Sequence, residues 1–216
     1  MPFWMNVQRC LMEIPEADYD RRLKEYQADL GRPSDEIVQK HILTGLPAAL
    51  TPDDYFNLRN DVSKHFGIQP VEVVLVGSCR VGFSLLDKPK KSRPRYSPVG
   101  AASDIDLAVV APGLFKQLWD QVFAYSQSNR AFAKSPEGTQ FRLMLFGGWI
   151  DPRGLPPGQR FQWADTWVRF FDGLSRDRRF GNRRASARVY RDWNRLAAYQ
   201  QIAVDQCKRV LGRQPE

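Results

Sequence analysis

Two short apolar runs constrain this chain more than any other feature. They are Val71-Glu72-Val73-Val74-Leu75-Val76 and Ile105-Asp106-Leu107-Ala108-Val109-Val110. Both are rich in β-branched residues and too short for buried helices, so each predicts a largely buried strand. The first stops at Gly77-Ser78; the second follows Ser103-Asp104 and stops at Ala111-Pro112-Gly113. A third strand is predicted over 185–190, where Ala185-Ser186-Ala187-Arg188-Val189-Tyr190 alternates. Strands must share a sheet and hide its faces, so the remaining segments have to supply cover.

Those segments carry helical periodicity. Over 16–30, Tyr19, Leu23, Tyr26 and Leu30 recur at helical spacing before Gly31-Arg32-Pro33 ends the pattern. Ser34 is a predicted N-cap for a short helix reaching about residue 44. Thr51 opens the next helix, with Pro52 at its first position and Asp54 three residues after the cap. Tyr55, Leu58, Val62 and Phe66 are its apolar face, and Gly67 is its stop. Residues 1–67 are therefore predicted to be a helical segment packed on a core formed by 68–216. A turn or two of helix is expected within 79–86, and longer helices over 114–128, with Phe115, Leu118, Trp119, Val122 and Phe123 on one apolar side, 161–174 and 192–211. In the last, Leu196, Tyr199, Ala203, Cys207 and Val210 form one stripe. Residues 141–150 are apolar but broken by Gly147-Gly148, and are compatible with helix or strand. The fold class is α/β (α+β), one compact unit, without internal repeats.

Charge is unevenly distributed. The chain carries 32 Lys+Arg against 24 Asp+Glu, a net +8. Residues 1–70 hold 8 basic against 11 acidic side chains, so all the positive excess lies beyond residue 70. Two dense runs supply much of it: Lys88-Pro89-Lys90-Lys91-Ser92-Arg93-Pro94-Arg95 and Arg176-Asp177-Arg178-Arg179-Phe180-Gly181-Asn182-Arg183-Arg184. Such runs are either solvated surface or an attraction for a nucleotide triphosphate, oligonucleotide or nucleic acid. No stretch is long and apolar enough for a membrane span, and the start lacks the basic and apolar regions of a secretory signal. Three widely spaced cysteines, Cys10, Cys79 and Cys207, exclude a disulfide framework and a CxxC-type zinc site. The expected compartment is the cytoplasm.

The chemistry is concentrated where the two runs end and begin. Residues i and i+2 of a strand face the same side, so Asp104 and Asp106 project together. Two such carboxylates suit one or two Mg²⁺ ions, which take oxygen ligands and share them with substrate phosphates. Gly77 allows close backbone approach to a phosphate, and Ser78 adds a hydroxyl. A helix starting after Ser78 would point its first N–H groups at the anion.

The order strand–Gly77-Ser78–spacer–Asp104-Ile105-Asp106 resembles the signature of the DNA polymerase β-like nucleotidyltransferase superfamily. The resemblance covers residues 71–110 directly. It implies a small mixed sheet packed by helices, with N- and C-terminal helical additions. It also implies that Gly77 and Ser78 hold the triphosphate, and that Asp104 and Asp106 are catalytic metal ligands for Mg²⁺ or Mn²⁺. The implied reaction transfers a nucleoside monophosphate from an NTP or dNTP to a hydroxyl and releases pyrophosphate. The acceptor is a protein, a transfer RNA end, a small molecule or a growing oligonucleotide; the basic surface favours oligonucleotide or nucleic acid. Small members of this look also suggest a bacterial defence or stress role.

Two features depart from the pattern. The spacer from Ser78 to Asp104 is long and contains the first basic run. The third carboxylate that active members add from a later strand is not evident; Asp151 is the first candidate and Asp192 the second. Arg183, Arg184 and Arg188 are candidates for triphosphate or product contacts, or for salt bridges to the acidic N-terminal layer. Tyr190 and Tyr199 carry hydroxyls of the kind that accept nucleotides in self-modifying members, although packing is the plainer reading. His41, His65 and Cys79 read as packing residues, as do Trp149, Trp163, Trp167 and Trp193, one of which could stack on a base. The rival reading is a catalytically inactive module of the same fold that binds nucleic acid or regulates.

Overall fold

The computed structural model describes residues 14–89, 93–100, 103–155 and 161–211. Four strands form one open sheet: β1 (Val73–Val76), β2 (Ile105–Val110), β3 (Trp149–Ile150) and β4 (Ala185–Tyr190). Their spatial order is β1-β2-β4-β3. β1 and β2 are antiparallel, β2 and β4 parallel, and β3 and β4 antiparallel. The sheet is thus mixed, as expected.

Alternation along the strands divides the interior in two. Val73, Leu75, Ile105, Leu107, Val109, Ala187 and Val189 face one core. It is covered by α3 (Pro52–Phe66), α5 (Pro112–Ser128), α6 (Arg130–Lys134), α7 (Pro136–Gly147) and α8 (Gln162–Ser175). Val74, Val76, Ala108, Val110 and Tyr190 face the other core. It is covered by α1 (Glu16–Ala28), α2 (Ser34–Ile37, continuing as a π-helical turn Val38–Leu43) and α9 (Trp193–Leu211). The acidic N-terminal helices therefore serve both faces. On the first, Phe66 of α3 packs among Trp163, Trp167 and Phe171 of α8.

Local signals hold well where capping chemistry is explicit. Thr51 Oγ1 accepts the Asp54 N–H at 3.1 Å, and Gly67 closes α3 with φ 65°. Ser34 is a different case. It stands inside α2 rather than capping it, and its hydroxyl donates to Asp205 of α9 at 2.5 Å. The ambiguous segment 141–150 divides at its glycines into the end of α7 and the two residues of β3. Gly148 makes the break with φ 74°. Some apolar expectations fail. Trp119 and Phe123 of α5 are exposed and stacked on each other, and Trp193 and Val210 are also exposed. On α9, Leu196, Val204 and Cys207 make the buried stripe instead. A helix covering a sheet can bury only one side, and neighbouring apolar residues beyond that side remain in solvent.

Between Ser78 and Asp104 the chain forms the short helix α4 (Ser78–Val81) and a loop tied by two isolated bridges, Phe83 to Pro98 and Lys88 to Arg93. The predicted helix over 79–86 is thus one turn, ended by Gly82 at φ 104°. Lys90, Lys91 and Ser92 of the first basic run lie outside the described residues, as does Cys10.

Candidate functional site

β1 ends where β2 and β4 begin, and that end of the sheet gathers the chemistry. Val76 is the register partner of Asp106, and Asp106 is in turn the partner of Ser186. Gly77 directly follows Val76, so the chain bends beside Asp106. It does so at φ 69° and ψ −157°, a region essentially restricted to glycine. A Cβ at position 77 would lie 3.1 Å from Asp106 Oδ2. The glycine therefore meets two demands, the torsion and the space.

The N-terminal layer fixes this turn from behind. Ala48 N–H donates to the Arg80 carbonyl and Ala49 N–H to the Cys79 carbonyl, both at 3.0 Å. The buried Arg80 side chain reaches back to the Thr44 carbonyl. Cys79 Sγ–H donates to the Asp104 carbonyl at 3.2 Å, which ties the Gly-Ser turn to the start of β2. Burial pushes the Cys79 thiol up to about 11, so it is an inert strut rather than a nucleophile.

A cavity of about 230 Å³ opens at this end of the sheet. Gly77, Ser78, Asp106, Arg153, Ser186 and Arg188 line its polar part. Leu85, Leu86, Tyr199 and Ala203 contribute an aromatic and aliphatic wall, and Lys88 of the basic loop also reaches it. Asp106 Oδ1 accepts from the Ser186 hydroxyl at 3.1 Å. Arg188 donates through Nη1 to the Tyr199 hydroxyl at 2.6 Å. Its guanidinium stands 5.1 Å from the Trp149 ring centre and 5.2 Å from that of Tyr199.

Seven of the residues expected at the site sort as follows. Gly77, Ser78, Asp106 and Arg188 line one cavity. Asp104 stands just before β2 and half-buried; it does not line the cavity, but its charge reaches Arg153. Arg183 is buried, acts on the Cys79 thiol and is not a cavity residue. Arg184 is exposed. α4 is a single turn, too short to lend the helix dipole that the sequence suggested.

Neither candidate third acid joins the pair. Asp151 follows β3, and β4 lies between β3 and β2. Both of its oxygens bind Arg153, at 3.0 Å to Nε and 2.8 Å to Nη2. Asp192 is a helix cap: its Oδ1 accepts the Arg195 N–H at 2.8 Å, at the far end of β4 from Ser186. Among the described residues, no three His, Cys, Asp or Glu side chains converge as a metal-holding group. The position beside Asp106 on β4 is instead taken by the Ser186 hydroxyl.

Other expected residues fall to packing. Tyr190 is buried, and burial pushes its phenol well above the ordinary value, so it is a poor acceptor hydroxyl. His41 pairs with Asp29 at 2.8 Å, and His65 stacks on Phe170. Part of the second basic run is spent on local pairs: Arg179 bridges Asp61 of α3 and Asp177. Arg153 and Ser186 are two cavity residues that the sequence reading missed. Ser186 was visible only as one member of an alternating strand, and Arg153 stood inside a Pro/Gly cluster that read as a breaker.

No family model, no curated protein and no solved structure matches this chain.

Proposed function

We propose that the cavity binds a nucleoside triphosphate and that the protein transfers its nucleoside monophosphate to a hydroxyl acceptor, releasing pyrophosphate. One observation carries this reading: Gly77 and Asp106, far apart in sequence, meet so closely that a Cβ on residue 77 would stand 3.1 Å from Asp106 Oδ2. A backbone left bare beside a carboxylate suits a site where phosphate and a cation are held together.

The donor set is compatible with Mg²⁺ or Mn²⁺. These ions need only one or two protein carboxylates when substrate phosphates complete the shell. Asp104 and Asp106 would hold such an ion; Asp106 keeps Oδ2 toward Gly77 while Ser186 occupies Oδ1. When bound, the ion activates the acceptor hydroxyl and neutralises the leaving pyrophosphate. The chain's own residues do the positioning. Gly77 brings the backbone near the phosphate chain, Ser78 offers its hydroxyl, and Arg188 and Lys88 offset negative charge. The wall of Leu85, Leu86, Tyr199 and Ala203 gives a base an apolar surface.

The acceptor class follows from product size. The net positive charge beyond residue 70 favours an oligonucleotide, in keeping with a defence or stress role. No helix among the described residues is long and apolar enough to cross a membrane. Cys79 and Cys207 are free and buried, and the cytoplasm is the compartment that goes with this reading.

The test is to incubate the protein with each labelled ribo- and deoxyribonucleoside triphosphate and Mg²⁺ or Mn²⁺. Pyrophosphate and a labelled product are expected, both lost in D104A/D106A. No turnover of any triphosphate, with salt-sensitive nucleic-acid binding intact in the double variant, would favour a non-catalytic module. The commitment of Asp151 to arginine is the observation on that side.

A further inference from the structure

We propose that Asp151 is a positioning residue that fixes Arg153 and Arg188 as a paired guanidinium clamp for the substrate's phosphate chain. This replaces its expected role as a third metal-binding carboxylate, and it rests on the reading of the cavity as a triphosphate site.

Arginine engages both oxygens of Asp151. Oδ1 accepts the Arg153 backbone N–H at 3.1 Å and its Nε–H at 3.0 Å. Oδ2 accepts Arg153 Nη2–H at 2.8 Å and lies 3.7 Å from Arg188 Nε. A carboxylate held by an arginine fork is fixed in plane and distance, which a single-point ammonium contact would not achieve. The same carboxylate caps the 3₁₀ turn Pro152–Gly154 that carries Arg153, so it sets both the backbone and the side chain of that arginine.

The arrangement is layered. Arg153 and Arg188 line the cavity, whereas Asp151 does not; its side chain is 17% exposed against 32% and 37% for the two arginines. The carboxylate stands behind and the guanidiniums in front. Arg188 has a second brace in Tyr199 and Trp149. Two guanidiniums, with Lys88, thus face the cavity that also holds Gly77, Ser78 and the Asp106 carboxylate. Bonding to Asp151, with the charges of Asp106 and Asp104, also keeps the Arg153 proton tightly held, so the clamp stays charged throughout the physiological range. The ligand that fits is a polyphosphate chain, whose several negative charges can use two planar forks at once.

The experiment is calorimetric titration of the full chain with inorganic tripolyphosphate in EDTA, without any metal. Wild type is expected to bind. D151N keeps the size of the side chain and loses its charge, and should weaken binding about tenfold; R153A and R188A should weaken it at least as much. D151E should recover part of the loss, which a merely structural role would not give. Thermal melts of D151N and R153A confirm folding, and R153A carries the test if D151N fails to fold. Unchanged tripolyphosphate affinity in D151N and R153A would overturn the clamp, as would absence of binding by wild type. Loss of a metal ligand would leave this metal-free binding untouched. The two readings fail separately: no triphosphate turnover with an intact clamp result removes the enzyme and keeps the anion site.

Discussion

Two carboxylates, Asp29 after α1 and Asp106 on β2, are treated in opposite ways. Asp29, in the turn after α1, is buried and saturated. Arg32, Lys40 and His41 reach it at 2.7, 2.6 and 2.8 Å. Asp106 is half-buried, makes no ion pair among the described residues, accepts one hydroxyl bond, and faces a glycine and a cavity. The first has its charge met by the protein and fastens the turn after α1 to α2 and its π-helical continuation. The second keeps Oδ2 toward Gly77 while the Ser186 hydroxyl takes Oδ1. A carboxylate's burial is thus less informative than the completeness of its partners.

Removing each carboxylate should separate the two roles most sharply. D106A is expected to lower triphosphate turnover by about a thousandfold while shifting the melting midpoint little. D29A should do the reverse, costing about 2 kcal/mol of stability from its charge-assisted bonds with triphosphate affinity unchanged. Equal melting losses in both variants would break the comparison. Next in size is G77A. The torsion alone should cost about 1–3 kcal/mol, and the Cβ beside Asp106 should also weaken tripolyphosphate binding; a variant stable but normal in binding would show that the close approach is not functional.

The comparison also has a pH signature. Hydrogen bonds from Lys40 and His41 hold the Asp29 carboxyl well below the usual carboxylate range. A depressed value in the folded state gives stability that is present above the unfolded value of about 3.9 and is lost as pH falls below it. Wild type should therefore lose stability in acid more steeply than D29N, read from urea midpoints between neutral pH and pH 3. The smallest effect concerns Cys79. With its thiol pushed up to about 11, it should react with a disulfide reagent at pH 8 only after denaturant is added. Rapid modification of the native protein would mean that the strut behind the Gly-Ser turn is open.

Legibility followed the range of the interactions. The strand 185–190 matches β4, and β2 and α3 were readable because periodicity, caps and β-branching act within a few residues. Gly77 and Asp106 were readable as a pair because each adjoins an apolar strand. Asp151 was read only as a candidate third carboxylate, because its neighbourhood in sequence, a run of Pro and Gly after an apolar segment, says nothing about the arginine that pairs with it. Trp119 was assigned to a buried side because periodicity gives a face and not its width.

The sequence by itself determined three of the four strands, the helical cover, the part of the chain that carries the positive excess, and the Gly-Ser and Asp-x-Asp pattern at the strand ends. Those depend on local torsions and on apolar spacing, which the chain carries with it. Only the tertiary structure decided that Ser186 stands beside Asp106, that Asp151 backs two arginines, and that Arg183 is buried while Arg188 faces the cavity. Each of these depends on strand order and register, and β4 enters between β2 and β3 only after more than seventy residues of intervening chain have folded back. Pairings at that separation are set by the packing of the whole, for which no single segment holds the information.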